Sequence, residues 1–145
     1  MGKHSYFLKV NWGDTDAAGI VFFPNFYKWI DTAGHEFFGS IGYPSSKLYT
    51  EEKIGLPLLE THCEFKSPAF FEDEIELVTK VLEVGNKVIR LSHEFYRGDT
   101  LLAKGYVVRA WTNFAVEPIK AVPIPDSIRQ VLEGLMESAD QRVKG

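Results

Sequence analysis

Residues 13–25 place two carboxylates directly before a predicted helix. Asp14 and Asp16 stand two positions apart, small residues follow, and an apolar helix pattern begins at Phe23 or Pro24. A helix N-terminus presents N–H groups without intrahelical partners and a partial positive charge, which together can hold an oxyanion. A carboxylate just before it can act as a nucleophile or general base toward a carbonyl group. The pattern indicates acyl-transfer chemistry, with loop or capping roles for both aspartates as the alternative.

Other sequence signatures of catalysis or metal binding do not occur in the chain. There is no glycine-rich phosphate loop, no Gly-x-Ser-x-Gly turn and no cysteine pair. Two His-Glu pairs begin a His-Glu-x-x-His zinc signature, but Gly39 and Arg97 occupy the place of its second histidine. We therefore predict no metal site and no metal or redox cofactor.

Length and composition predict one globular domain. The 145 residues are 45% hydrophobic and 25% charged, enough for a core within a single domain, residues 1–145, with a polar tail at 138–145. The net charge is −4 and basic residues are scattered, so nucleic-acid binding is not expected. The longest apolar stretch, residues 17–24, is far shorter than the roughly 20 residues of a membrane span. With no signal-peptide pattern and one cysteine, Cys63, these features predict a soluble, cytoplasmic protein.

A long helix is predicted to form the centre of the core. It begins at Phe23 or Pro24, runs for about four turns, and ends at Gly39 or Gly42. Its apolar residues spread over more than one narrow stripe, so other elements must pack on several sides. Apolar residues at spacings of three and four carry this prediction: Phe26, Tyr27, Ile30, Ala33, Gly34, Phe37, Phe38 and Ile41.

Extended segments surround this helix in the sequence. A first strand is predicted from Tyr6 to Trp12, and a short helix or loop lies between Pro44 and Lys53. Alternating apolar and polar residues predict strands with one buried face. These strands are centred on residues 61–66, 75–81, 89–95 and 101–114.

Turn residues connect three of the predicted strands into a meander. Gly85-Asn86 and Gly98-Asp99 have the composition of two-residue hairpin turns. A last short helix covers residues 128–136, with Asp126 as its cap. The order of elements indicates an α+β fold in which an antiparallel sheet curls around one helix. Because such a unit leaves sheet edges exposed, we expect it to form dimers.

Residues 12–31 (WGDTDAAGIVFFPNFYKWID) resemble, nearly position by position, a family signature. The family is the acyl-CoA thioesterases of 4-hydroxybenzoyl-CoA thioesterase type, which have the hot-dog fold. The resemblance extends to residues 67–69 and 72–74 and to the order of the elements. It implies a curled antiparallel sheet wrapped around one long central helix, the architecture that the residue patterns also predict.

The resemblance implies which residues act on the thioester. Asp16 is the catalytic carboxylate, as nucleophile or general base, and the backbone N–H near Phe23 receives the thioester oxygen. Asp14 then orders the loop. A related group of thioesterases carries histidine where this chain has Phe23, and the sequence Phe23-Pro24-Asn25 favours aromatic substrates. Hydrolysis of an aromatic, hydroxybenzoyl-type acyl-CoA is the predicted activity.

The resemblance also implies substrate-binding residues along the helix. Asp31 resembles the acid that meets the ring hydroxyl of a hydroxybenzoyl group; the alternative is a surface partner for Lys28 or His35. The other predicted substrate-binding residues are Gly19, Tyr27 and His62, with a solvated or interface position as the alternative for His62.

For coenzyme A, Lys87 beside the first hairpin turn resembles the family's basic contact, and Arg90 is a second candidate. Further basic candidates, each also a common surface charge, are Arg97, Lys104 and Arg109. Hot-dog sites lie between subunits, so a homo-oligomer, a dimer or a tetramer of two dimers, is expected. Two other functions remain open: a short- or medium-chain aliphatic acyl-CoA thioesterase, and a non-catalytic acyl-CoA-binding module, against which Asp16 argues.

Overall fold

The structure, a computed structural model, describes residues 2–144 and the side chains of residues 2–136. Within this part of the chain, eight strands and three α-helices form an α+β fold. In chain order they are β1 (Lys3–Lys9), α1 (Pro24–Ser40), α2 (Ser45–Lys47), β2 (Ile54–Gly55), β3 (Leu58–Phe65), β4 (Glu74–Val84), β5 (Val88–Arg97), β6 (Thr100–Ala110), β7 (Thr112–Asn113), β8 (Lys120–Ala121) and α3 (Asp126–Lys144).

Five strands form one antiparallel sheet in the order β1-β4-β5-β6-β3. The predicted meander is confirmed as β4, β5 and β6, and its second turn is the predicted Gly98-Asp99. The first turn lies one residue later than predicted, at Asn86-Lys87, because the N–H of Gly85 donates to the carbonyl of Val88 at 2.8 Å. Gly98 has φ +58°, a left-handed conformation that glycine adopts without steric cost. The short strands β2, β7 and β8 form a second antiparallel sheet.

Helix α1 packs its apolar face on the inner face of the larger sheet. Pro24 occupies the first helical turn, where its missing N–H has no cost. The rings of Phe26 and Phe95, from α1 and β5, meet edge to face at 4.9 Å between centroids. The helix contributes a set of buried residues to the core: Phe26, Ile30, Ala33, Gly34, Phe37 and Phe38. Its opposite face, which includes Lys28, Asp31, His35 and Glu36, is exposed in the single chain.

Two predicted strand ends are wrong, and both errors lie where an apolar residue follows a strand. β1 runs from Lys3 to Lys9 rather than from Tyr6 to Trp12, so it lies three residues earlier than predicted, and Trp12 instead begins a 3₁₀ turn, Trp12–Asp14. The Asp14 carboxylate accepts the backbone N–H of Asn11 at 2.8 Å, which closes this turn. The strand predicted over residues 101–114 breaks at Trp111, after which β7 joins the smaller sheet.

The predicted one-sided burial of residues 61–66 is also wrong in the single chain. Residues 61–65 belong to β3, the last strand of the sheet, which pairs only with β6. Every residue of β3 is exposed except Cys63, which is half-buried. The alternation of apolar and polar residues along a strand does not indicate whether the strand lies at the centre or at the edge of a sheet. β3 lies at an edge.

The C-terminal helix, Asp126–Lys144, is longer than the predicted short helix over residues 128–136, and its backbone continues through most of the segment predicted as a polar tail. Pro125 accepts the backbone N–H of Arg129, so Asp126 is the first helical residue rather than the cap. Ile128 and Leu132 are fully buried in the core, against which α3 packs mainly at β4. The solvated side chains predicted for residues 138–145 lie outside the side chains that the structure describes. Within residues 2–144, no helix has both the length and the apolar character for crossing a membrane.

A histidine is buried in the middle of the sheet. His93 is fully buried on β5, and its Nδ1 lies 2.9 Å from the hydroxyl of Thr79 on the paired strand β4. Burial, and then the positive charge of Arg109, lower the pKa of His93 from its usual 6.5 to about 3. The imidazole is therefore neutral in the folded chain at neutral pH.

We expect the free energy of unfolding to fall as the pH drops below 6.5, by up to about 1.4 kcal/mol per pH unit from His93 alone. The unfolded state binds a proton at pH values where the folded state does not, so stability rises with pH through this window. Urea denaturation of the wild type and His93→Gln between pH 7 and 4.5 measures the effect, and the glutamine variant should have the flatter profile. Identical pH slopes would show that His93 does not cause the loss.

Candidate active site

Asp16 lies at the base of a tight turn. Its backbone N–H donates to the carbonyl of Ile20, and its carbonyl accepts the N–H of Gly19, both at 2.9 Å. Gly19 has φ +81°, so glycine suits this position. The Oδ1 atom of Asp16 accepts the N–H of Ala18 at 2.9 Å, which fixes the carboxylate on the turn. Oδ2 has no partner among the described residues, and the side chain is exposed.

Asp14 joins this turn to the start of α1, so the loop-ordering role expected for it is confirmed by its contacts. Its carbonyl accepts the N–H of Phe22 at 2.9 Å and the side-chain amide of Asn25 at 2.8 Å. Its carboxylate is already occupied by the N–H of Asn11. No sequence pattern indicates that Asn25 holds the loop, because its partner, the carbonyl of Asp14, is a backbone atom.

The loop between β3 and β4 supports the turn from the other side. Ala69 accepts the N–H of Val21 at 2.9 Å. Asp73 holds this loop, because its Oδ2 accepts the N–H of Phe70 at 2.8 Å and the guanidinium of Arg97 at 2.7 Å. Arg97, a candidate for binding coenzyme A, is thus engaged in an ion pair that shapes the loop.

The N-terminus of α1 has a free hydrogen-bond donor. Phe23 is the N-cap residue, and Pro24, which follows it, has no N–H. The N–H groups of Asn25 and Phe26 donate to the carbonyls of Phe22 and Phe23. The N–H of Phe23 has no acceptor among the described residues, so it can donate to a ligand at the positive end of a 17-residue helix.

An aromatic groove of about 260 Å³ borders the helix start. The ring of Phe65 on β3 meets the rings of Phe23 and Phe26 edge to face, at 6.3 and 5.2 Å between centroids. Such a lining suits a planar apolar group. The residues around the groove are Ile20, Val21, Phe23, Phe26, Phe65, Lys66, Ser67, Pro68 and Ala69.

Asp31 lies two turns further along α1, and the half-buried Tyr27 lies between it and the helix start. Its Oδ1 is 3.2 Å from the guanidinium of Arg109 and 3.4 Å from Nε2 of His35. The contact with His35 that the sequence analysis named is therefore present, whereas Lys28 forms no ion pair with Asp31 among the described residues. Arg109, a candidate for coenzyme A, is only 5% exposed and lies inside the fold, so that assignment is wrong.

His62 lies in a different groove, on the outer face of the sheet. Its ring stacks on Tyr106, with centroids 5.6 Å apart, and its Nε2 is 3.6 Å from Glu64. The groove has a volume of about 540 Å³ and does not include the Asp16 turn or the helix start. No three histidine, cysteine or acidic side chains in the described part of the chain converge as metal ligands.

The basic residues predicted for coenzyme A lie away from Asp16 in the same chain. Lys87 is exposed in the β4–β5 turn, and Arg90 lies over the ring of Tyr106 at 4.8 Å, with Nε 3.8 Å from Glu83. The loop that supports the Asp16 turn through Ala69 leads into the start of β4, and Lys87 follows the far end of this strand. The 11 residues of β4 span roughly 35 Å. Lys104 is 3.8 Å from Glu94 on the outer face.

Comparison with known proteins identifies the family. The family model described as the thioesterase-like superfamily matches residues 10–132. A gentisyl-coenzyme A thioesterase of known structure is 40% identical, with a TM-score of 0.79 over 90% of this chain and 99% of that one.

Two curated enzymes are more distant relatives. The 4-hydroxybenzoyl-CoA thioesterase of Pseudomonas sp. strain CBS-3 is 27% identical over 124 residues, 81% of this chain and 88% of that protein. The 1,4-dihydroxy-2-naphthoyl-CoA hydrolase of Microcystis aeruginosa is 23% identical over 121 residues, 82% of this chain and 85% of that protein. The resemblance at residues 12–31 and the predicted fold class are thus confirmed. The chain belongs to the thioesterase-like superfamily and is a thioester hydrolase with the hot-dog fold.

Proposed function

We propose that this enzyme hydrolyses the thioester of an aromatic, hydroxybenzoyl-type acyl-CoA to the free acid and coenzyme A. The observation that carries the proposal is the free N–H of Phe23 at the start of α1, next to the turn that holds the Asp16 carboxylate. The helix start supplies an electrostatic partner for a developing oxyanion, and Asp16 supplies the base or nucleophile.

In the proposed reaction the thioester carbonyl oxygen accepts the N–H of Phe23. As a nucleophile, Asp16 attacks the carbonyl carbon, the carbon–sulfur bond breaks, and coenzyme A leaves as a thiolate. Water then hydrolyses the resulting mixed anhydride and restores the carboxylate. As a general base, Asp16 instead removes a proton from the water that attacks the carbonyl carbon directly. The carbon–sulfur bond then breaks, coenzyme A leaves as a thiolate, and the thiolate takes up the proton. Both routes consume one water molecule and use the Asp16 carboxylate and the N–H of Phe23.

Three features support an aromatic acyl group. The relatives named above act on gentisyl-, 4-hydroxybenzoyl- and dihydroxynaphthoyl-CoA. Rings of Phe23, Phe26 and Phe65 surround the groove at the helix start. At 1.5 Å rise per residue, Asp31 lies about 12 Å along the helix from Phe23. A hydroxybenzoyl group with a hydrogen bond at each end, together with the aspartate side chain, spans a distance of this order.

The release of free thiol from a panel of CoA esters tests this proposal. The panel contains hydroxybenzoyl, gentisyl, benzoyl, phenylacetyl, acetyl, hexanoyl and palmitoyl esters, each with the wild type and Asp16→Asn. Fast release from a hydroxyaryl ester that depends on Asp16 is the expected result. A preference for acetyl, hexanoyl or palmitoyl esters would move the substrate to the aliphatic class. Binding of esters without any release would favour the binding-module alternative.

We further propose a homo-oligomer, a dimer or tetramer, in which the edge strand β3 meets a partner. β3 pairs on one side only and leaves Leu58, Leu59 and Phe65 exposed, an arrangement that favours sheet extension. Lys87 and Arg90 lie too far from Asp16 to serve the same chain's site, so we propose that they hold the coenzyme A of a partner's site. Sedimentation equilibrium should give at least twice the 16.5 kDa of one chain, and a monomer at micromolar concentration would contradict this.

We propose that the enzyme acts in the cytoplasm. The proposed reaction uses no metal or redox cofactor, and coenzyme A is part of the substrate. Thiol release should therefore be unchanged after prolonged dialysis against EDTA. A loss of activity that zinc or magnesium restores would contradict the metal-free route.

A further inference from the structure

Arg109 is a buried cation beneath the central helix. It lies on the inner face of β6, is 5% exposed, and donates to the carbonyl of Leu56 at 2.8 Å. Its other terminal nitrogen is 3.2 Å from Oδ1 of Asp31, while Nε has no partner in the described part of the chain. Burying a guanidinium is unfavourable unless it is paired, and apolar side chains would serve the core better. Packing alone therefore does not explain this arginine.

The helix leaves room for the guanidinium at a glycine. A Cβ atom on Gly34, three residues after Asp31, would lie 3.5 Å from the terminal nitrogen of Arg109 and 3.8 Å from its Nε. Both distances are ordinary van der Waals contacts, so the guanidinium packs directly against the backbone of α1 at this position. The hydrogen bond to the Leu56 carbonyl and the contact with Gly34 hold the guanidinium against the helix, with one terminal nitrogen 3.2 Å from Oδ1 of Asp31.

The contacts of Asp31 are confined to one of its two oxygens. Oδ1 faces Arg109 from the core side and His35 from the solvent side, at 3.2 and 3.4 Å. The ring of His35 is itself held by the hydroxyl of Ser45, 2.7 Å from Nδ1. Oδ2 has no partner among the described residues, and the side chain is 56% exposed. An otherwise mobile surface carboxylate is thus held in one orientation with a free acceptor.

We infer that Arg109 is a positioning residue for substrate recognition: it holds Asp31 so that Oδ2 accepts the ring hydroxyl of a hydroxyaryl acyl group. The inference rests on the proposed function and assigns the selectivity for a hydroxylated ring to a residue buried in the sheet. The chemistry at Asp16 and Phe23 lies at the other end of the helix segment. Loss of Arg109 should therefore affect the discrimination between hydroxylated and unsubstituted rings more than the hydrolysis itself.

The test is the ratio of kcat/KM for 4-hydroxybenzoyl-CoA to that for benzoyl-CoA. We expect Arg109→Gln to lower this ratio about tenfold, mainly because kcat/KM for the hydroxybenzoyl ester falls. Arg109→Lys keeps the charge but cannot donate to Leu56 and Asp31 with one planar group, so its ratio should lie at least threefold below wild type. If the glutamine variant does not fold, the lysine variant alone decides.

Thr79→Val is the matched control. It removes another fully buried polar group from the inner face of the sheet, the partner of His93, and should lower stability without changing the ratio. Equal losses on both esters in the Arg109 variants, or a wild-type ratio in Arg109→Lys, would overturn the inference while the proposed function stands. A wild-type enzyme that hydrolyses neither ester would overturn the proposed function itself.

Discussion

Asp16→Asn is expected to lower kcat on the best aryl-CoA ester by about a hundredfold to ten-thousandfold, the range that a positioned base contributes. The amide can neither attack the thioester carbonyl nor accept a proton from water. Folding and ester binding should remain close to wild type. Thiol release gives kcat, and calorimetric titration of the variant with the intact ester gives its affinity.

The structure explains why asparagine is the right substitution. The Oδ1 atom of Asp16 accepts the N–H of Ala18 at 2.9 Å, and an asparagine carbonyl oxygen can accept the same hydrogen bond. The turn closed by Gly19 and Ile20 is made of backbone hydrogen bonds and does not depend on the charge. A loss of activity in a folded variant therefore reports on the carboxylate.

Asp14→Asn is the matched control for this prediction. Asp14 is also an aspartate of the same loop, and asparagine can likewise accept the N–H of Asn11. Its structural contacts to α1 run through its backbone carbonyl, so the variant should keep activity within a few-fold of wild type. An Asp16→Asn enzyme within tenfold of the wild-type rate would remove Asp16 from the mechanism.

Local features of the sequence are sufficient to predict much of this fold. The spacing of apolar residues from Phe26 to Phe38 predicts α1, because the residues on one face of a helix recur every three or four positions of the sequence. The Gly85 and Gly98 turns define the meander for a similar reason: the conformation of a hairpin turn is set by its own residues. The loop of Asp14 and Asp16 is local as well, and its position before the helix is visible in the sequence.

Features that depend on distant partners could not be predicted in the same way. Arg109 is separated from Asp31 by 78 positions, and nothing in the residues around it indicates that β6 passes beneath α1. The sequence offers Arg109 only as a candidate for coenzyme A or as a surface charge, and neither role predicts a buried position. The exposure of β3 has the same origin, because the position of a strand within a sheet is set by the whole topology.

The second large effect is expected at the other end of the acyl site. Asp31→Ala should lower kcat/KM for 4-hydroxybenzoyl-CoA roughly ten- to a hundredfold more than for benzoyl-CoA. A hydrogen bond from a phenol to a carboxylate contributes about 1.5–3 kcal/mol, and only the hydroxylated ester can make it. Steady-state kinetics with the two esters on the same enzyme preparation measures the difference.

Benzoyl-CoA is also the internal control for structural damage. Removing Asp31 leaves the buried guanidinium of Arg109 without its carboxylate, which should destabilise the helix and lower the melting temperature. Such damage acts on both esters alike, whereas loss of the hydroxyl acceptor acts on one of them. Equal losses on the two esters would therefore assign Asp31 to holding Arg109 alone, and the ring hydroxyl would have to be recognised elsewhere.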